Sequence, residues 1–329
     1  MKTAVLGLGF MGSMHVRALT QLAGAKLVAV CSDVEKQLTG DLSSVQGNLG
    51  GPGQVFDFTG VKPYRHIPDL LADPEIEAVD ICLPTFLHEE TAIAALRAGK
   101  HVLVEKPMAL DGAGARRMIA AARESGRLLM CAQVLRFLPE YVALKEAMAG
   151  LGAVRSASFE RRSSQPGWGG WLKDSTKSGG GVFDLLIHDI DACLWLFGMP
   201  REIAATGSGN WVDAQLYYDG FTVGVEGGWL DSPAYPFCME YRVTMERGTV
   251  EFSSAGKPPV LFAEAERKLP VTPADGYAAE VAYFVECCAA GKAPDRCPPE
   301  QSAQAVELMR AVLDARARNG EKVACGNRE

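Results

Sequence analysis

The first thirty residues limit the fold more than any other part of the chain. Thr3–Leu6 reads as a short apolar strand and runs straight into Gly7-Leu8-Gly9-Phe10-Met11-Gly12. Met11–Leu22 follows with helical spacing, and Lys26–Cys31 reads as a second apolar strand. A G-x-G-x-x-G hexamer alone is weak, but between a strand and a helix it has the setting of a dinucleotide-binding βαβ unit. Each glycine then has a physical task. Gly7 permits the tight turn, Gly9 lets a pyrophosphate approach the backbone, and Gly12 lets the helix pack closely on the strand. The helix N-terminus points its N–H groups at the phosphates. Phe10 and Met11 complete the candidate cofactor loop. The plain alternative is a strand–helix turn that binds nothing.

The second strand ends in Cys31-Ser32-Asp33. A carboxylate there accepts hydrogen bonds from ribose hydroxyls and repels a 2′-phosphate. Asp33 is in range, although Ser32 occupies the more usual position of the acid and Lys36 follows closely. The balance favours NAD, with NADP as the alternative.

Strand-like and helical runs go on alternating to about residue 133. Ala78–Cys82, His101–Val104 and Leu128–Ala132 read as strands, and Glu89–Ala98 and Met118–Glu124 as helical. Such alternation predicts a parallel sheet. Gln37–Gly60 breaks the pattern. It holds six glycines and no clean period, and reads as a long loop, either a solvated insertion or a functional segment. Beyond Val134 the texture changes. Phe137–Ala149 is helical in pattern, Ala153–Arg161 alternates like a strand, and several strand-like runs with turn residues fill Ile203–Val271. Two helical patterns, Tyr277–Ala289 and Pro299–Arg318, close the chain. The predicted class is α/β: a Rossmann domain over 1–133 and an α+β domain over 134–329 with a large, mostly antiparallel sheet, a C-terminal helix packing back on the first domain. A length of 329 residues favours two cores over one.

Bulk properties exclude several classes. A net charge of −7 argues against a nucleic-acid surface. No apolar run approaches the ~20 residues of a membrane span. The start, MKTAVLGLGF, lacks the pattern of a signal peptide. Nine cysteines, an odd number, include no C-x-x-C pair. They fit a reducing compartment, the expectation being cytoplasm, and no resident metal is expected.

Val182–Phe197 reads VFDLLIHDIDACLWLF. On a helix Asp184, His188 and Asp191 share one face at i, i+4 and i+7. The rest is apolar apart from Asp189, so the helix is expected to be buried, and its polar stripe needs a partner or a ligand. A core histidine bonded to an aspartate and a shared metal ion are the competing readings. His101–Val104 leads into Glu105-Lys106-Pro107, at a strand end where ligands of open α/β sheets bind. Pro107 restricts the lysine's backbone. A surface Glu–Lys pair is the plain alternative.

These segments together resemble the glucose–fructose oxidoreductase / inositol dehydrogenase / MocA (Gfo/Idh/MocA) family over almost the whole chain. The resemblance rests on the glycine hexamer with His15, on Leu83-Pro84-Thr85 with His88, on Ala98-Gly99-Lys100-His101-Val102 through Glu105-Lys106-Pro107, and on Gly179-Gly180-Gly181 with Asp184 and His188. It implies a nicotinamide cofactor, a sugar or cyclitol substrate, and hydride transfer between a carbinol carbon and the nicotinamide. It also implies a second domain whose open sheet often joins copies into a homo-oligomer, a dimer or a tetramer.

The family's catalytic lysine falls on Lys106 and its Asp/His pair on Asp184 and His188. His188 would take the hydroxyl proton, Asp184 would orient it or bind a neighbouring hydroxyl, and Lys106 would stabilise the alkoxide. Leu83, Pro84, Thr85, His88 and Glu105 join the expected cofactor set, and His15 is a further candidate. Arg136, Trp168 and Asp191 are expected substrate contacts, with Trp171 a weaker one, against packing roles for each. Two other activities fit the same residues: glycoside cleavage through transient oxidation by bound NAD, and a non-catalytic nucleotide-binding sensor.

Overall fold

The computed structural model describes residues 1–47 and 53–326. Six short runs form one all-parallel sheet: β1 (Lys2–Leu6), β2 (Lys26–Cys31), β3 (Lys62–Tyr64), β4 (Ala78–Ile81), β5 (His101–Glu105) and β6 (Leu129–Ala132). Their order is β3-β2-β1-β4-β5-β6. Every residue of β4 and β6 is buried, which explains why these strands are continuously apolar with hardly a polar interruption. Helices α1 (Phe10–Gln21), α2 (Glu35–Leu38), α3 (Ile67–Leu71), α4 (His88–Arg97) and α5 (Gly112–Ser125) connect them. Asp111 caps α5 by accepting the Gly114 N–H at 2.8 Å, and Gly126 ends it at φ 65°. The strand order reverses between β1 and β4, the switch point at which doubly wound sheets bind ligands.

A second sheet follows helix α6 (Pro139–Met148). Its strands are β7 (Val154–Ser164), then, after α7 (Ser175–Ser178) and α8 (Gly181–Phe197), β8 (Glu202–Thr206), β9 (Trp211–Tyr217), β10 (Thr222–Leu230), β11 (Cys238–Met245), β12 (Gly248–Ser253), β13 (Lys257–Phe262) and β14 (Glu266–Lys268). Helices α9 (Gly276–Ala290) and α10 (Pro299–Ala317) lead to β15 (Val323–Ala324). The order is β14-β13-β12-β11-β7-β10-β9-β8-β15, antiparallel except where β10 runs parallel to β7. Helix α8 packs on β7, β9 and β10.

The chain divides into two compact units. One holds Met1–Val134, Trp168–Trp171 and Asp275–Ala303; the other holds Leu135–Gly167, Leu172–Ala274 and Gln304–Glu329. Helix α9 thus belongs with the parallel sheet, packed on α1 and touching β5 and β6. No helix among the described residues is long and apolar enough to cross a membrane.

The sequence pattern passes over β3 and α3, which are three and five residues long. Elements that short complete no period of their own. The glycine-rich stretch 37–60 contains the end of α2 and one lone antiparallel bridge between Asp41 and Val55. Its residues 48–52 lie outside the described residues. Gly47 sits so close to Phe10 that a Cβ there would meet the ring at 2.0 Å, so this stretch reaches the rim of the glycine loop.

Candidate active site

The glycine loop has the shape a pyrophosphate requires. Gly7 lies at φ 88°, and a Cβ on it would meet the Cys82 carbonyl oxygen at 2.5 Å. A Cβ on Gly12 would come within 1.9 Å of the Gly7 carbonyl oxygen. Both positions are closed to larger residues by the protein's own packing. At Gly9 a Cβ would meet nothing within 4 Å. Gly9 is also the N-cap of α1, and no side chain caps that end. The first-turn N–H groups therefore face an open space, which fits an anionic ligand.

These contrasts separate fold from binding. Gly9→Val should keep the melting temperature near that of the wild type and cost NADH affinity about tenfold or more, since only ligand approach is blocked. Fluorescence titration with NADH and a thermal melt check this. Unchanged affinity would remove the loop from the binding site.

At the tip of β2, Asp33 is exposed. Ser32 is buried; its Oγ donates to Gln37 Oε1 at 2.6 Å and accepts the Val34 N–H at 3.1 Å. It therefore shapes the turn from within. The nearby cations are already paired: Lys36 with Asp41 at 3.1 Å, and Arg65 with Glu35. At the end of β4, Leu83 and Pro84 are half-buried and Thr85 is buried at the start of a short 3₁₀ turn.

Two of the expected cofactor contacts face inward. His88 is 1 % exposed, with Nδ1 2.8 Å from the Pro107 carbonyl oxygen and Nε2 2.8 Å from that of Leu83. Burial pushes its pKa down, against the pull of the two carbonyls. Glu105 is 5 % exposed; one carboxylate oxygen accepts the Lys106 N–H at 2.9 Å and the other lies 3.1 Å from His15 Nε2. Both side chains are spent on holding the loops, and Lys106 itself stays half-buried beside them.

A buried polar cluster underlies this turn, and of its members only His15 and Glu105 were candidates by sequence. His15 Nδ1 lies 2.8 Å from Asp80 Oδ2, and Glu280 Oε1 is 4.0 Å from Nε2. Burial opposes charge on His15, but Asp80 overrides it, and the pKa is held well above the ordinary imidazole value. Burial drives the pKa of the Glu280 carboxyl well up. Donor atoms of His15, Glu105 and Glu280 lie within 4.8 Å of one another. The sequence hint for Glu280 was a carboxylate, one of two with Glu286, in the otherwise apolar run Tyr277–Cys288.

Helix α8 divides its polar residues sharply. Asp189 is fully buried and accepts two bonds from Arg161, at 2.6 and 3.1 Å. Asp191 and Arg136 are 1 % and 0 % exposed and form a bidentate pair at 2.8 and 2.7 Å. This corrects the expectation that Arg136 and Asp191 contact substrate: they contact each other, because neither charge could be buried alone. Asp184 and His188, one turn apart, remain partly exposed. Trp168 and Trp171 are half-buried and belong to the unit that carries Lys106.

Known proteins match this arrangement. A family model described as "Oxidoreductase family, NAD-binding Rossmann fold" covers residues 1–133, and one for the GFO/IDH/MocA C-terminal domain covers 141–251. A 1,5-anhydro-D-fructose reductase of Ensifer adhaerens is 30% identical over 68% of this chain and 72% of its own length. An inositol 2-dehydrogenase of Paracoccus denitrificans is 31% identical over 60% of this chain, a stretch that spans 54% of that relative. The structure of an aldose–aldose oxidoreductase from Caulobacter crescentus, complexed with glycerol, superposes with a TM-score of 0.81 at 23% identity, covering 98% of this chain and 99% of that one. With both halves matched in order, the chain belongs to the Gfo/Idh/MocA family of NAD-binding oxidoreductases.

Proposed function

We propose that this protein is an NAD-dependent dehydrogenase or reductase acting on a secondary alcohol of a sugar, sugar derivative or cyclitol, with Lys106, Asp184 and His188 as its catalytic residues. The observation that carries the reading is the division on α8. Of its four ionisable polar residues, two are locked in buried ion pairs, and the Asp/His pair one turn apart is the pair left partly exposed. The relatives named for an anhydrofructose and for inositol support the substrate class.

In this reading the bound nicotinamide supplies the hydride acceptor or donor. His188 removes the hydroxyl proton during oxidation and returns it during reduction. Asp184 orients the imidazole or holds an adjacent hydroxyl. Lys106 offers its ammonium to the oxygen that gains negative charge. Trp168 offers an aromatic face to the apolar side of a ring. Assembly of copies through the nine-stranded sheet belongs to the same reading. An absorbance screen at 340 nm over inositols, hexoses, uronates and anhydrosugars, with both nicotinamide cofactors, tests it. No change with any of them would overturn it.

The reading extends to NAD over NADP. A 2′-phosphate would meet exposed Asp33, while Lys36 and Arg65 are already engaged by Asp41 and Glu35. Asp33→Ala should weaken NADH binding and tighten NADPH binding, moving the preference by about tenfold, roughly 1.4 kcal/mol. Paired fluorescence titrations measure it, and an unmoved ratio would place the ribose elsewhere.

A further inference from the structure

Two buried histidines converge on one three-residue turn. From the α1 side, His15 hydrogen-bonds Asp80 at 2.8 Å and makes a charge contact without a hydrogen bond to Glu105 at 3.1 Å, and the same Glu105 carboxylate accepts the Lys106 N–H at 2.9 Å. From the α4 side, the His88 ring spans 2.8 Å contacts to the carbonyls of Pro107 and Leu83. The residues on either side of Lys106 are therefore each held by an imidazole that is 1 % exposed or less. A buried ionic or hydrogen-bonded arrangement of this kind costs desolvation and is retained where it fixes geometry.

We propose that His15 and His88 are positioning residues that clamp the Glu105-Lys106-Pro107 turn from two sides and so set where the Lys106 ammonium sits. His15 acts through Glu105 on the peptide before Lys106, and His88 acts on the Pro107 carbonyl, one residue beyond the lysine. His88 also ties that turn to Leu83, which joins the loop after β4 to the lysine's position. The inference rests on the reading of Lys106 as a catalytic residue, but the clamp is measurable without turnover.

Amide substitutions dissect it, because Asn places its nitrogen near the Nδ1 position and Gln near Nε2. At position 15 the arm toward Lys106 is the charge contact from Nε2 to Glu105, so His15→Gln and Glu105→Gln, which keep the shape and remove one charge each, both break it. At position 88 that arm uses Nδ1, so His88→Asn preserves it and His88→Gln breaks it. The readout is acetylation of Lys106 by limiting acetic anhydride on folded protein, quantified by mass spectrometry against exposed Lys26. His15→Gln, Glu105→Gln and His88→Gln should change the relative Lys106 rate by about threefold or more. His88→Asn should stay within about twofold of the wild type by the same measure. A merely structural role predicts no such contrast between Asn and Gln at position 88.

Equal behaviour of His88→Asn and His88→Gln, or an unmoved rate in His15→Gln and Glu105→Gln, overturns the clamp. If one of the variants at 15 and 105 fails to fold, the other must still shift Lys106 labelling. The two readings fail separately. If Lys106→Met leaves turnover intact while the labelling pattern holds in the other variants, the catalytic assignment falls and the clamp stands. If Lys106→Met abolishes turnover and the pattern is absent, the clamp alone falls.

Discussion

Replacing Lys106 with Met is expected to lower kcat/KM by about 10² to 10³-fold, the range seen when one preorganised donor to a developing oxyanion is removed. NADH affinity and the melting temperature should stay close to the wild type. Met retains the unbranched stem of Lys and removes only the ammonium. The turn around it is anchored by the backbone contact to Glu105 and by His88 on Pro107. The loss should fall on kcat more than on KM, since the charge on the oxygen is larger in the transition state than in the bound alcohol. Steady-state kinetics on whichever polyol the absorbance screen returns, with a parallel NADH titration, checks this. Turnover unchanged in Lys106→Met would remove the lysine from the chemistry.

The first unit was legible from sequence because its signals are local. A strand, a glycine hexamer and a helix lie within about twenty consecutive residues, and each glycine has a steric reason that its own neighbours supply. The lysine at the end of β5 is local too. What escaped were partnerships made across long separations. Nothing near Arg136 announces Asp191, fifty-five positions away, and nothing near His15 announces Asp80 or Glu280. A charged residue that closes a buried pair looks, in sequence, the same as one that waits for a ligand. Period and burial identified α8 as a buried helix with a polar stripe. They could not say that Asp191 belongs to the protein's own electrostatics while Asp184 and His188 keep a partly exposed face. His88 and Glu105 were misjudged for a related reason: their place beside strand-end loops is correct, but their side chains turn inward to brace those loops.

The pair that was misread should dominate the stability of the second unit. Arg136→Met is expected to destabilise it by about 3 to 5 kcal/mol, the cost of leaving a buried carboxylate without its counter-charge. Both Asp191 oxygens receive a guanidinium N–H at 2.8 Å or less, and both side chains lie at 1 % exposure or below. Asp191→Leu takes the carboxylate from the buried guanidinium and should cost a similar amount. The double variant, Arg136→Met with Asp191→Leu, should recover most of that loss, because two apolar groups need no partner. Urea unfolding of the four proteins gives the coupling directly. Singles that cost less than about 1 kcal/mol would mean that water reaches the pair, as it does in exposed ion pairs. The consequence for function is positional. Asp191 lies one turn beyond His188 on α8, so the pair fixes the roll of the helix at the point where the imidazole leaves it. A partly active Arg136→Met protein should therefore lose turnover through misplacement of His188.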